Sequence, residues 1–188
     1  MKYRVLIDVG HADGTGAKSS LADEHEESRL NAQELKAVLE SFRVDEFEVE
    51  VVDFPQLSNG SDLAASVRAA NAKEYDALVS LHMDCSSNAD ARGAHVCYHA
   101  GSVKGEWLAK EIASRLCPWL PGRSDTVQAR PDREKKLSSL AILRDTRPPA
   151  VLVECGFVSN EADVQVLRNC RHELMRAVGL GIAAFCDM

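Results

Sequence analysis

The chain has 188 residues, of which 45% are hydrophobic and 27% charged, and a formal net charge of −7. That length supports one well-cored domain and is short for two. The negative balance excludes a general nucleic-acid-binding surface, which needs a basic field, and no apolar run approaches the roughly 20 residues that span a bilayer.

The first predicted strand, Val5 to Val9, runs into Gly10-His11, and a polar loop from Ala12 to Glu26 follows. A helical stripe of Leu30, Leu35, Val38, Leu39 and Phe42 begins with Glu27. Phe47 to Phe54 alternates as a strand near a sheet edge, and Ser58-Asn59-Gly60-Ser61 is a turn whose Ser61 can cap the next helix. Ala77 to Leu81 is a strand ending at His82, Gly93 to His99 is another, and Val103 to Leu116 is an amphipathic helix stopped at Pro118. Pro121 to Ser139 has no strong period and carries Arg123, Arg130, Arg133, Lys135 and Lys136. Leu140 to Leu143 reads as a short strand. The wholly apolar Ala150 to Val153 suits a central, doubly buried strand that runs into Glu154-Cys155-Gly156. Helices over Glu161 to Leu167 and Arg171 to Phe185 close the chain.

Strands alternating with helices predict a single-domain α/β fold, a mostly parallel twisted sheet with helices on both faces. Six cysteines lack metal-site spacing and read as free thiols. The apolar run behind Met1-Lys2-Tyr3-Arg4 is broken at Asp8, so no signal peptide is expected. The expectation is a protein made in the cytoplasm, with no nucleic-acid partner, no membrane insertion and no oligomeric state that the sequence defines.

Three strands thus end on metal-competent side chains. In a parallel α/β sheet the carboxyl ends of the strands share one edge, where ligands bind. His11 and His82, joined by Glu27 at the start of the first helix, make a two-imidazole, one-carboxylate set that suits catalytic Zn2+. Glu154, ending an apolar strand, is the general acid/base, its pKa raised by desolvation. Each residue taken alone has a structural reading, the weakest being that for Glu154, since an ionisable group beside a buried strand needs a partner. Arg144, just before the last strand, is the candidate substrate contact. His25, His95, His99 and His172 read as structural, and Trp107 and Trp119 as packing residues.

Four blocks in order resemble the zinc-dependent N-acetylmuramoyl-L-alanine amidases of the type 3 class. They are Ile7-Asp8-Val9-Gly10-His11, Glu27-Ser28-Arg29-Leu30-Asn31, Val79-Ser80-Leu81-His82 and Pro149-Ala150-Val151-Leu152-Val153-Glu154-Cys155-Gly156-Phe157-Val158-Ser159-Asn160. The resemblance implies a phosphorylase/hydrolase-like fold and an amidase catalytic domain over residues 1–188. It further implies Zn2+ on His11, Glu27 and His82, with Glu154 catalytic. Asn31, four residues after Glu27, favours that glutamate, with Glu24 and Glu26 as alternatives. The implied substrate is peptidoglycan, cut between the lactyl group of N-acetylmuramic acid and L-alanine. The implied setting is cell lysis by a phage or prophage endolysin, reaching the wall after release or export by another factor, with a sporulation role as the other setting. The chain departs from the family at Ala12-Asp13 and at Met83-Asp84. The rivals are a zinc peptidase cutting within the stem peptide and an inactive wall-binding module.

Overall fold

A computed structural model describes residues 2–42, 46–57, 60–131 and 140–187. Arg133, Lys135 and Lys136 of the basic segment, and Ser58-Asn59 of the predicted turn, lie outside the described residues. The elements in chain order are β1 (Tyr3–Val9), α1 (Glu24–Ser41), β2 (Phe47–Val52), α2 (Ser61–Ala72), β3 (Ala77–Asp84) and β4 (His95–His99). They continue with α3 (Val103–Leu116), β5 (Val127–Arg130), α4 (Ala141–Arg144), β6 (Ala150–Phe157), α5 (Glu161–Asn169) and α6 (Arg171–Cys186).

The strands form one sheet in the order β2-β1-β3-β6-β4-β5. β2, β1, β3 and β6 run parallel, β4 is antiparallel to β6, and β5 is parallel to β4. The alternating strand β2 is at an edge, and the apolar β6 lies between β3 and β4, as their patterns predict. Period-two alternation sorts the side chains onto two faces. On one, Val5, Ile7, Val79, Leu81, Val151 and Val153 pack with residues of α1, α3 and α6 such as Leu35, Ile112 and Val178. On the other, Leu6, Leu78 and Leu152 pack with Ala70 of α2 and with Ile142 and Leu143 of α4. Each fully buried aliphatic side chain contributes on the order of 1.5–3 kcal/mol, so the first and larger layer dominates the stability.

Three local readings are corrected. Leu140 to Leu143 does not form a strand: the Leu143 and Arg144 N–H groups bond back to Leu140 O at 3.0 Å, closing the short helix α4. Both edges of β6 are already taken by β3 and β4, so the apolar pair Ile142 and Leu143 is buried as a helical plug on the smaller face. Conversely β5 is a strand although its sequence, Val-Gln-Ala-Arg, is half polar. It is the outer strand beside β4, where water remains on one side and propensity decides little. At α2 the cap is Gly60, in a left-handed conformation at φ 88, and not Ser61.

Candidate metal centre

The parallel strands deliver their ends to one edge. β1 ends at Val9, after which Gly10 leads into His11, and His11 sits at φ 66, an unusual conformation for a residue with a Cβ. His82 lies on β3 in register with Glu154 on β6, and His95 on β4 is in register with Glu154 from the other side. Cross-strand partners project to the same face, so His82, Glu154 and His95 stand in a row. Gly10 leaves room for this: a Cβ there would be 2.4 Å from the His82 ring.

The carboxylate that meets both histidines is Glu24. Asp23 caps α1, accepting from the His25 and Glu26 N–H groups at 3.1 and 3.4 Å. That makes Glu24 the first helical residue, with its side chain over the strand edge. Glu24 Oε1 lies 3.1 Å from His11 Nε2 and 2.9 Å from His82 Nδ1. Its carboxylate is held by the Met83 N–H on Oε1 at 3.2 Å and the Ala17 N–H on Oε2 at 2.6 Å. One ligand atom from each of His11, Glu24 and His82 lies within 4.8 Å of the others. Burial opposes ionisation of Glu24, but the hydrogen bonds to His11 and His82 outweigh it and hold the carboxyl below its usual range. The same contact raises the His11 pKa. Two imidazoles and an ionised carboxylate crowding one point are a donor set that a divalent ion satisfies, and the N2O composition suits zinc.

Glu27, the ligand expected from the sequence, is elsewhere. Three residues along a helix leave only about 60° of net rotation but about 4.5 Å of rise, so Glu27 shares a side of α1 with Glu24 yet stands nearly a turn further from the strand edge. Its carboxylate is buried against Arg168, at 2.7 and 2.9 Å, and Arg171, at 2.6 Å. Asn31, the residue that favours Glu27 in the sequence, accepts from Arg171 in the same cluster. The overlooked signal was Asp23, a preferred N-cap, which fixes the helix start one residue before Glu24.

Glu154 is on the expected edge. Its Oε2 is sealed from solvent and has no hydrogen-bond partner among the described residues. Desolvation first, then the charges of Asp84 and Glu24, push its pKa well above the ordinary carboxylate value. Asp84 was not singled out by sequence reasoning beyond being a departure from the family. Its Oδ2 lies 3.4 Å from His95 Nδ1 and 3.6 Å from Arg123 Nη1, with no hydrogen bond to either. Its own pKa is raised, by desolvation against the pull of Arg123. Burial and the Arg123 and Arg130 charges lower the His95 pKa to about 4, leaving it neutral at physiological pH.

Arg144 is not brought to this edge. It ends α4 in a two-pronged ion pair with Asp145, at 2.7 and 2.6 Å. It lines a separate groove with Ala150, His99 and Arg147, and Ala150 begins the strand that carries Glu154 about 13 Å further on. Beside the histidines is instead a cavity of about 210 Å³, bordered by His11, His82, Phe54, Leu63, Leu140 and Ile142. His25 packs between Asp13 at 2.9 Å and Asp53 at 3.0 Å, joining the His11 loop to the end of β2. Trp107 packs edge-on against Phe185.

Residues 5–184 match the family model described as N-acetylmuramoyl-L-alanine amidase. A probable cell wall amidase, LytH, of Staphylococcus saprophyticus is 25% identical over 183 residues, covering 96% of this chain and 57% of that protein. An uncharacterised cell wall amidase of Bacillus anthracis is 32% identical over 140 residues, covering 69% of this chain and 25% of that protein. The chain therefore spans little more than half the length of the one and a quarter of the other. The crystal structure of N-acetylmuramoyl-L-alanine amidase from Clostridium difficile 630 superposes with a TM-score of 0.81 at 24% identity, covering 99% of this chain and 97% of that one.

Proposed function

The chain belongs to the N-acetylmuramoyl-L-alanine amidase family, and from that premise we propose that it is a zinc-dependent peptidoglycan amidase, cutting between N-acetylmuramic acid and L-alanine. The observation that carries this reading is the meeting of His11, Glu24 and His82 on the strand edge that also bears Glu154. Zinc held by those three side chains would polarise the scissile carbonyl and acidify a water.

The rest of the chemistry falls to this chain's own groups. Glu154 takes the proton of the attacking water and hands it to the departing amine nitrogen of L-alanine. Its raised pKa suits both halves of that task, because a base must also release its proton as an acid. The negative charge of Asp84 makes Glu154 a better proton acceptor. Neutral His95 and the Arg123 guanidinium flank Asp84 at the rim. Action on the wall during lysis, after release or export by another factor, belongs to the same proposal.

The test is digestion of purified peptidoglycan with and without a chelator, with products weighed by mass spectrometry. Free muramoyl glycan and intact stem peptides headed by L-alanine support the reading. Stems cut internally would replace it with a zinc peptidase, and binding without products would make the chain a wall-binding module.

A further inference from the structure

Asp8 is an aspartate inside β1, only 4% exposed, beneath the metal centre and without any role so far. Among the described residues its Oδ1 has no hydrogen-bond partner. Its Oδ2 accepts the Ser80 hydroxyl at 2.6 Å. Asp8 and Ser80 are cross-strand partners of β1 and β3, and His82 follows Ser80 by two residues, so all three share a face. His82 Nε2 lies 3.1 Å from Ser80 Oγ, and its Nδ1 lies 2.9 Å from Glu24 Oε1. The side chains thus form a line, Asp8 to Ser80 to His82 to the ligand centre.

Hydrogen counting gives the line a direction. A serine hydroxyl has one hydrogen, and Ser80 spends it on Asp8 Oδ2 at 2.6 Å, which accepts it in the ionised form of the carboxyl. Ser80 Oγ can then only accept from the imidazole, so Nε2 carries the ring hydrogen. In the neutral ring Nδ1 then keeps the lone pair on the Glu24 and His11 side, the state a metal needs, whereas without metal its hydrogen bond to Glu24 takes a second ring hydrogen. A histidine ligand is commonly oriented in this way by an acceptor on its other nitrogen. Here the acceptor is a fully buried serine whose own hydrogen is tied down by a buried acid.

Resting on the zinc reading above, we propose that Asp8 and Ser80 are positioning residues that fix the His82 tautomer and aim Nδ1 at the metal. Both also line the cavity beside the histidines, and the role assigned to them is to hold His82. Removing the Ser80 oxygen leaves Nε2 without a partner, and removing the Asp8 carboxylate frees the Ser80 hydrogen to turn toward Nε2 and select the wrong tautomer.

The experiment measures zinc affinity by competition with a chromophoric chelator, alongside the visible spectrum of the cobalt form and the melting temperature of the zinc-free form. Ser80→Ala and Asp8→Ala are each expected to weaken zinc binding by about 10–100-fold, with a changed cobalt spectrum. Ser80→Thr, which keeps a hydroxyl, and Asp8→Asn, whose carbonyl can still accept, should restore most of the affinity. The double alanine variant should bind no more weakly than Ser80→Ala, because the two act through one hydrogen bond. A role in folding alone would lower melting temperatures and leave zinc affinity unchanged. Wild-type affinity in Ser80→Ala, a variant that deletes a single oxygen, would overturn the positioning role while leaving the amidase reading intact. If the unaltered protein binds no zinc, both fall together.

Discussion

Glu24 and Glu27 stand one helical turn apart, and exchanging each for glutamine should separate metal binding from stability. Glu27 is 3% exposed and holds Arg168 and Arg171 through contacts of 2.6–2.9 Å. Breaking a buried pair by removing one partner costs about 3–5 kcal/mol. The lower end applies here, because the Arg168 side chain is 51% exposed and can turn to water, and Arg171 keeps the Glu27 carbonyl and Asn31. For a chain of this size about 3 kcal/mol lowers the melting temperature by about 6–12 °C. Glu27→Gln should therefore melt early yet still bind one zinc. Glu24→Gln should melt near the wild-type temperature without metal, but lose zinc and with it the ligand-dependent gain, about 2.7 kcal/mol at 100 times the dissociation constant. Melting curves with chelator and with excess zinc, paired with elemental analysis after dialysis, read both quantities. A zinc-free Glu27→Gln protein beside a zinc-loaded Glu24→Gln protein would refute the assignment of Glu24.

Glu154→Gln should keep its zinc and lose about 100–10,000-fold in turnover on purified walls, and near-wild-type hydrolysis would remove Glu154 from the chemistry. The same variant has a pH signature. An acid whose folded pKa is raised above 4.5 binds more protons folded than unfolded, so it costs stability as pH climbs above that value. In the zinc-free protein Glu154→Gln should thus melt higher than wild type at pH 7 and equally at pH 4; an equal gain at both would deny the raised pKa. Gly10→Ala should displace His82, because the new Cβ would be 2.4 Å from its ring; unchanged zinc affinity in that variant would show that the ring can move aside without loss. Chelator treatment should abolish wall digestion by the unaltered protein and added zinc should restore it, with activity indifferent to chelator being the contrary result.

Periodicity and strand ends made much of this protein legible in its sequence. An apolar run such as Ala150 to Val153 can be stable only with both faces covered, and alternating strand and helix patterns leave few arrangements other than a mostly parallel sheet. Once the sheet is parallel, His11, His82 and Glu154 must reach the same edge, since each lies at or just beyond the carboxyl end of the apolar run that forms its strand. The tertiary structure decided what depends on placement and on competition among neighbours. Whether Glu24 or Glu27 meets the histidines turns on which stands at the helix start, since the two are nearly one turn apart along α1, and Arg168 and Arg171, about 140 positions away in the chain, capture the loser. Leu140 to Leu143 became a helix because β6 had no free edge to offer. The Asp8–Ser80–His82 line exists only because β1 and β3 are in register, a pairing between segments some 70 residues apart that no local pattern records.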